Sequence, residues 1–210
     1  MSYSEILQQG IQALDLDVSE TTQAQLLDYL RLLEKWNHVY NLTAITDFSE
    51  MIPKHLLDSL AVIPHISGQR ILDVGTGAGL PGLVLAIVHP EWECTLLDSN
   101  SKKIRFVQQA VAELNLTNVH LEHARIEDFE PHSPFSSIIC RAYTSLHDFL
   151  AQTEELCEPQ GCIIAMKGLY PEQEIAELVH LPVKLETIAL QVPQLSAQRH
   201  LIIMKPYDSE

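Results

Sequence analysis

The chain is poor in positive charge: 13 lysines and arginines stand against 28 aspartates and glutamates in 210 residues, a formal charge of −15. Such a protein is repelled overall by phosphate, so any contact with nucleic acid has to be local, through the placement of a few cations. The first 20 residues contain no lysine, arginine or histidine. That removes the basic start of a secretory leader and sets an expectation of cytoplasmic residence. No apolar run can span a bilayer, since even the stretch Leu83–Val88 is far short of the roughly 20 residues required, and no membrane partner is expected. Only four cysteines occur, and Cys94, Cys140, Cys157 and Cys162 lie in or beside apolar segments, the habit of buried free thiols. Cys157 and Cys162 are too widely spaced for a CxxC pair, and His120 with His123 stands alone, so no metal is expected. With 20% charged and 46% hydrophobic residues the composition is that of a globular protein, and the length suits one α/β domain with a small appendage.

Glycine is scarce as well, yet four of the eight glycines fall in one stretch, RILDVGTGAGLPG. An apolar run ending at Val74 breaks into Gly75, Gly77, Gly79 and Gly82, which predicts a strand, a tight turn and a helix entrance, with Pro81 suited to the first helical turn. A glycine-rich backbone that a ligand can touch points to a nucleotide. Gly77, Gly79 and Gly82 satisfy G-x-G-x-x-G, a pattern shared with dinucleotide sites. Asp98 closes the next apolar run, CTLLD, where an acid would bind a ribose diol, and it serves NAD and S-adenosylmethionine equally. Asp73, directly before the turn, would repel a pyrophosphate and favour an ammonium and a sulfonium, which favours the methyl donor. The alternative use of Asp73 is to order the turn by accepting backbone N–H bonds.

Residues 4 to 64 show helical spacing, with Leu26, Leu30, Leu33, Trp36 and Tyr40 three or four apart behind Ser19, Thr21 and Thr22 as candidate caps. We expect residues 1–66 to be a helical extension packed on a core domain of residues 67–210. From Arg70 the pattern alternates. Strand-like runs at 70–74, 93–98, 118–122, 136–140 and 161–166 interleave with helix-like runs at 81–88, 101–114, 145–156 and 171–179, which implies a parallel sheet covered on both faces. VKLETIALQVP and RHLIIMKP are separated by only a loop, so that pair is antiparallel. The architecture resembles the Rossmann-like sheet of class I S-adenosylmethionine-dependent methyltransferases: α/β, mostly parallel with a C-terminal antiparallel hairpin, preceded by N-terminal helices. In doubly wound sheets the ligand lies outside the carboxyl ends of the strands, around the loops after Val74, Asp98, Leu121 and Cys140.

Seven segments carry a closer likeness: KWNHVYNLT, HLLDSL, DVGTGAGLPG, LLDSNSKKIRFV, CRAYTSL, MKG and RHLIIMK. In order and spacing they are similar to the 16S ribosomal RNA guanine-N7 methyltransferase G family, also called the glucose-inhibited division protein B family. Thr76 and Leu80 depart from it, standing where that family often has Ser and Phe. The resemblance implies methyl transfer from S-adenosylmethionine to N7 of one guanine in the decoding-region loop of bacterial 16S ribosomal RNA, leaving S-adenosylhomocysteine. It implies 16S RNA or the small subunit as partner, and a monomer. Donor contacts are implied at Gly75 and Leu80 in the turn, at Ile126 and Glu127, and at Arg141, beside Asp73, Gly77, Gly79 and Asp98 from the reading above. Arg141, directly after the run SSIIC, is expected to face the crevice and to place the donor or the target base through a carboxylate, phosphate or O6.

Arg31, Lys35, Lys54, Lys102, Lys103, Arg105, Lys167 and Arg199 are the candidate contacts to RNA phosphate. Trp36, Tyr40 or Tyr143 could stack a base, although the helical stripe makes Trp36 and Tyr40 better candidates for core packing. A cysteine nucleophile at Cys140 is the weaker reading, because strand alternation buries it. Other readings remain open at this level: a methyltransferase of another substrate, a nicotinamide-dependent oxidoreductase, or a ribosome-assembly factor without catalysis.

Overall fold

A computed structural model of the chain describes residues 1–206. The amino-terminal part is helical. Helix α1 (Tyr3–Ala13) starts with a capping box in which the Ser2 hydroxyl accepts from the Glu5 N–H and the Glu5 carboxylate accepts from the Ser2 N–H. Helix α2 (Glu20–Tyr40) is capped by Ser19, one of the residues expected there. Short turns follow: α3 (Phe48–Met51), a π-turn (Ile52–Leu57) and α4 (Asp58–Leu60). On α2, Leu26, Leu30 and Leu33 are fully buried, whereas Trp36 and Tyr40 are half-buried and stack on each other at 5.3 Å. Leu7, Leu33 and Leu56 join Ile71, Leu85 and Phe106 in one apolar cluster, so helical extension and sheet share a core.

Seven strands form one sheet: β1 (Arg70–Val74), β2 (Glu93–Leu97), β3 (Val119–Glu122), β4 (Phe135–Arg141), β5 (Cys157–Lys167), β6 (Val183–Ala189) and β7 (His200–Pro206). Their order is β3-β2-β1-β4-β5-β7-β6, with the first five parallel and β7 antiparallel to both its neighbours. Helices α5 (Gly82–Val88), α6 (Ser101–Glu113), α7 (Leu146–Thr153) and α8 (Glu172–Leu178) lie between the strands along the chain. The terminal pair is antiparallel as its spacing implies, but β7 is inserted between β5 and β6. Burial explains the placement: Leu201, Ile202, Ile203 and Met204 are all buried, so this strand belongs inside, while β6 alternates and suits the edge.

Boundaries shift by a few residues. The helix-like run 145–156 ends as α helix at Thr153, whose hydroxyl bonds back to the Phe149 carbonyl at 2.6 Å; a tight turn follows and β5 begins at Cys157. Helix α5 begins at Gly82, with Pro81 as its cap residue rather than within its first turn. Strand order reverses between β1 and β4, and the carboxyl ends of the central strands open there.

Candidate active site

The turn after β1 is tied down from two sides. The N–H groups of Gly75 and Thr76 both donate to the Leu97 carbonyl, at 2.8 and 3.0 Å, which fastens the turn to the end of β2. Gly75 has φ +67°, and a Cβ there would stand 2.6 Å from the Tyr143 ring, so conformation and close approach both demand glycine. From below, Asp73 Oδ2 accepts the Thr76 hydroxyl at 2.6 Å and the Gly82 N–H at 2.8 Å. Asp73 is 1% exposed and its Oδ1 has no partner among the described residues. These bonds order the turn, the alternative use named above, and Asp73 does not line the cavity described below.

Burial pushes the Asp73 carboxyl up to about 6, against the opposing bonds from Thr76 and Gly82. The unfolded carboxyl ionises near the ordinary value of about 4, so the folded state holds the proton more tightly. This group's contribution to stability is thus fully present below the ordinary value and lost as pH rises through about 6. His55 has the opposite slope: burial drags it down to about 3, and its contribution is lost as pH falls from the ordinary histidine range. The comparison that isolates Asp73 is Asp73→Asn against the parent. The variant is expected to gain on the parent between about pH 4 and 6 and to keep that gain above, read from urea midpoints at fixed salt. Parallel curves would show that folding leaves the carboxyl's pKa unchanged.

Asp98 stands just past β2, 7% exposed. Its Oδ2 accepts the Gly77 N–H at 2.9 Å, its Oδ1 accepts the Asn100 N–H at 2.8 Å, and Lys103 Nζ lies 3.8 Å away. A carboxylate offers about four lone-pair sites, so two protein bonds leave room for a diol. Asn100 also caps α6, accepting from the N–H groups of Lys102 and Lys103.

Above Asp98 opens a cavity of about 310 Å³, within the range of ligand pockets. Of the candidate donor contacts, Gly75, Asp98, Ile126 and Glu127 line it, together with Val74, Leu97, Ala124 and Tyr143. Lys103, assigned to RNA from sequence, also lines this cavity. At the rim a chain of side chains runs from Glu127 to Gln152 Nε2 (3.2 Å) and from Gln152 Oε1 to the Tyr143 hydroxyl (3.3 Å). No sequence pattern announces that chain, because its members sit on three separate elements. The lining suits S-adenosylmethionine: an acid for the ribose diol, a mostly polar cavity with Leu97, Ala124 and Ile126 among its lining residues, and a backbone open at Gly75.

Other expected contacts lie elsewhere. The Leu80 side chain is 2% exposed and packs in the core, and Gly79 is buried against Leu83. Arg141 does not line the cavity. Alternation along β4 turns Cys140 toward the cluster with Leu72 and Phe149, and Arg141 the other way, where its Nη1 donates to the Lys54 carbonyl at 3.2 Å. Cys140 is 3% exposed and burial pushes its thiol far above the usual range, which is a setting for a packed thiol and not for an activated one.

The candidate RNA cations separate into groups. Arg31 pairs with Asp28 and Lys54 with Glu50, while Lys167 is bonded to Glu174 and to the Thr144 carbonyl. Arg199 is bonded to Asp58 and to the Gln198 carbonyl. Lys35, Lys102 and Arg105 are exposed on α2 and α6.

The strand order, the glycine turn and the acid after β2 define a class I S-adenosylmethionine-dependent methyltransferase fold. The glycopeptide N-methyltransferase MtfA, solved in complex with S-adenosyl-L-homocysteine, superposes with a TM-score of 0.63 over 72% of this chain and 89% of that one, at 11% identity. Residues 22–202 match the family model described as rRNA small subunit methyltransferase G. The chain is 49% identical over 204 residues to the ribosomal RNA small subunit methyltransferase G of Nitrosococcus oceani, covering 96% of this chain and 94% of the relative. It is 45% identical over 206 residues to the protein of that name from Nitrosospira multiformis, covering 95% of each. The chain belongs to the rRNA small subunit methyltransferase G family, GidB.

Proposed function

We propose that the protein transfers the methyl group of S-adenosylmethionine to N7 of a guanine in the RNA of the small ribosomal subunit. The observation that carries the reading is the cavity over Asp98 and Gly75, in a chain whose family is shown. When bound, the donor supplies an electrophilic methyl on a sulfonium. Asp98 would hold its ribose, and Leu97, Ala124 and Ile126 would be the apolar residues available to its base. Guanine N7 is a bare lone pair, so methylation removes no proton and asks for no general base. What the chain must supply is alignment and exclusion of water, which proximity and orientation provide. The sequence after β4, RAYTSL, agrees, lacking the Asn/Asp-Pro-Pro-Tyr segment that holds an exocyclic amine.

Of the candidate RNA cations, Lys35, Lys102 and Arg105 are exposed and could meet phosphate without giving up an ion pair among the described residues. Contacts of this kind release counterions from the RNA, so activity should fall with added salt even though salt also screens the repulsion from the net charge of −15. The test is incubation with labelled donor and small-subunit particles lacking the modification, followed by nucleoside mass analysis. Label in 7-methylguanosine is the expected result. Label in another nucleoside or in protein would replace this reading with a methyltransferase of another substrate.

A further inference from the structure

Two family-like segments outside the donor cavity, HLLDSL and RHLIIMK, meet β4 at one buried carboxylate. Asp58, at the start of α4, is 2% exposed. Its Oδ1 accepts the Arg199 Nε–H at 2.8 Å, and its Oδ2 lies 3.5 Å from Arg141 Nη1. The same Nη1 donates to the Lys54 carbonyl in the π-turn leading into α4. Two guanidiniums thus share a single carboxylate and leave a surplus of positive charge. Stability alone does not account for such a cluster, because exchanging buried ion pairs for apolar residues is often neutral or stabilising. Arg141 is held by one corner. Among the described residues its Nε and Nη2 have no partner, and its side chain is 24% exposed. The residues that follow it, Ala142 and Tyr143, line the donor cavity.

We propose that Asp58 is a positioning residue for methyl transfer, acting through Arg141, whose guanidinium it fixes at the carboxyl end of β4. This rests on the methyltransferase reading above. Arg199 is the second anchor, holding the carboxylate from the other side. A loose arginine has many rotamers to give up, and settling it before substrate arrives is preorganisation. The amino-terminal segment, through Asp58 and the Lys54 carbonyl, becomes part of the active site rather than only a cover for the core.

The test is a double-mutant cycle with Asp58→Asn, Arg141→Gln and their combination, reading donor Kd by calorimetry, kcat and KM on unmodified particles, and the thermal midpoint. The expected result is that Asp58→Asn moves the same parameter as Arg141→Gln, in the same direction and by roughly 10- to 100-fold, and that the double variant is no worse than Arg141→Gln alone. A loss confined to the thermal midpoint, or two effects that multiply, would overturn the proposal. Should Asp58→Asn not fold, Asp58→Glu, which keeps the charge and displaces it by one methylene, enters the same cycle. A wild type that binds donor but leaves the particles unmethylated refutes the substrate assignment instead; the coupling is then read from donor Kd, and a Kd that neither variant moves overturns the proposal.

Discussion

Replacing Asp98 by alanine is expected to weaken S-adenosylmethionine binding by about 100-fold or more. Three consequences combine. The ribose loses an ionised acceptor, and hydrogen bonds to charged groups contribute about 1.5–3 kcal/mol each. The N–H groups of Gly77 and Asn100 lose their acceptor, so the turn and the entrance to α6 both loosen. Lys103, 3.8 Å from the carboxylate, is left as an unbalanced cation on the cavity wall. Asp98→Asn separates these effects, because the amide keeps the shape and one acceptor but turns an N–H₂ toward a backbone donor; its affinity should fall between the parent and Asp98→Ala. Calorimetric titration on protein shown to be folded by circular dichroism reads both. A dissociation constant within roughly threefold of the parent would remove the ribose from Asp98.

Gly82→Ala is expected to remove roughly 3–5 kcal/mol of folding stability, a large share of a typical domain's total. Gly82 does not need glycine for its dihedral angles. It needs glycine for space: an added Cβ would stand 2.7 Å from Asp73 Oδ2 and 2.8 Å from Leu96 Cγ, both fully enclosed. Leu96 is fixed between the neighbours of β2, and the carboxylate cannot retreat without abandoning the Gly82 N–H and the Thr76 hydroxyl. Overpacking and an unsatisfied buried acceptor therefore arise together. Gly168→Ala is the control, since its Cβ would meet only Arg199 Nη1 at an ordinary 3.9 Å. Urea unfolding of the three proteins measures the difference, and a loss below about 1 kcal/mol at Gly82 would mean that the site relaxes around the methyl.

Much of this site is local in sequence, which is why it can be read there. The glycine turn, the acid ending the second apolar run and the Asn100 cap each depend on neighbours within a few residues, and each stands where the pattern puts it. Ile126 and Glu127 reach the cavity through the family resemblance rather than through any periodicity. Arg141 shows where local reading stops: its place at a strand's carboxyl end is legible, but which face it takes depends on the phase of β4 against the helices on either side. Lys103, Lys167 and Arg199 read as free cations until the fold supplies Asp98, Glu174 and Asp58.

The sequence alone determined the alternation of strands and helices, the glycine turn, the acid that follows the second strand and the family likeness, because apolar periodicity and backbone special positions are short-range properties of the chain. Tertiary structure decided that β7 lies inside β6, that Asp73 serves the turn, and that Arg141 and Arg199 share Asp58. Those outcomes hinge on burial and on partners far apart in the chain. Only packing sets how much water a carboxylate or a guanidinium loses and which opposite charge replaces it.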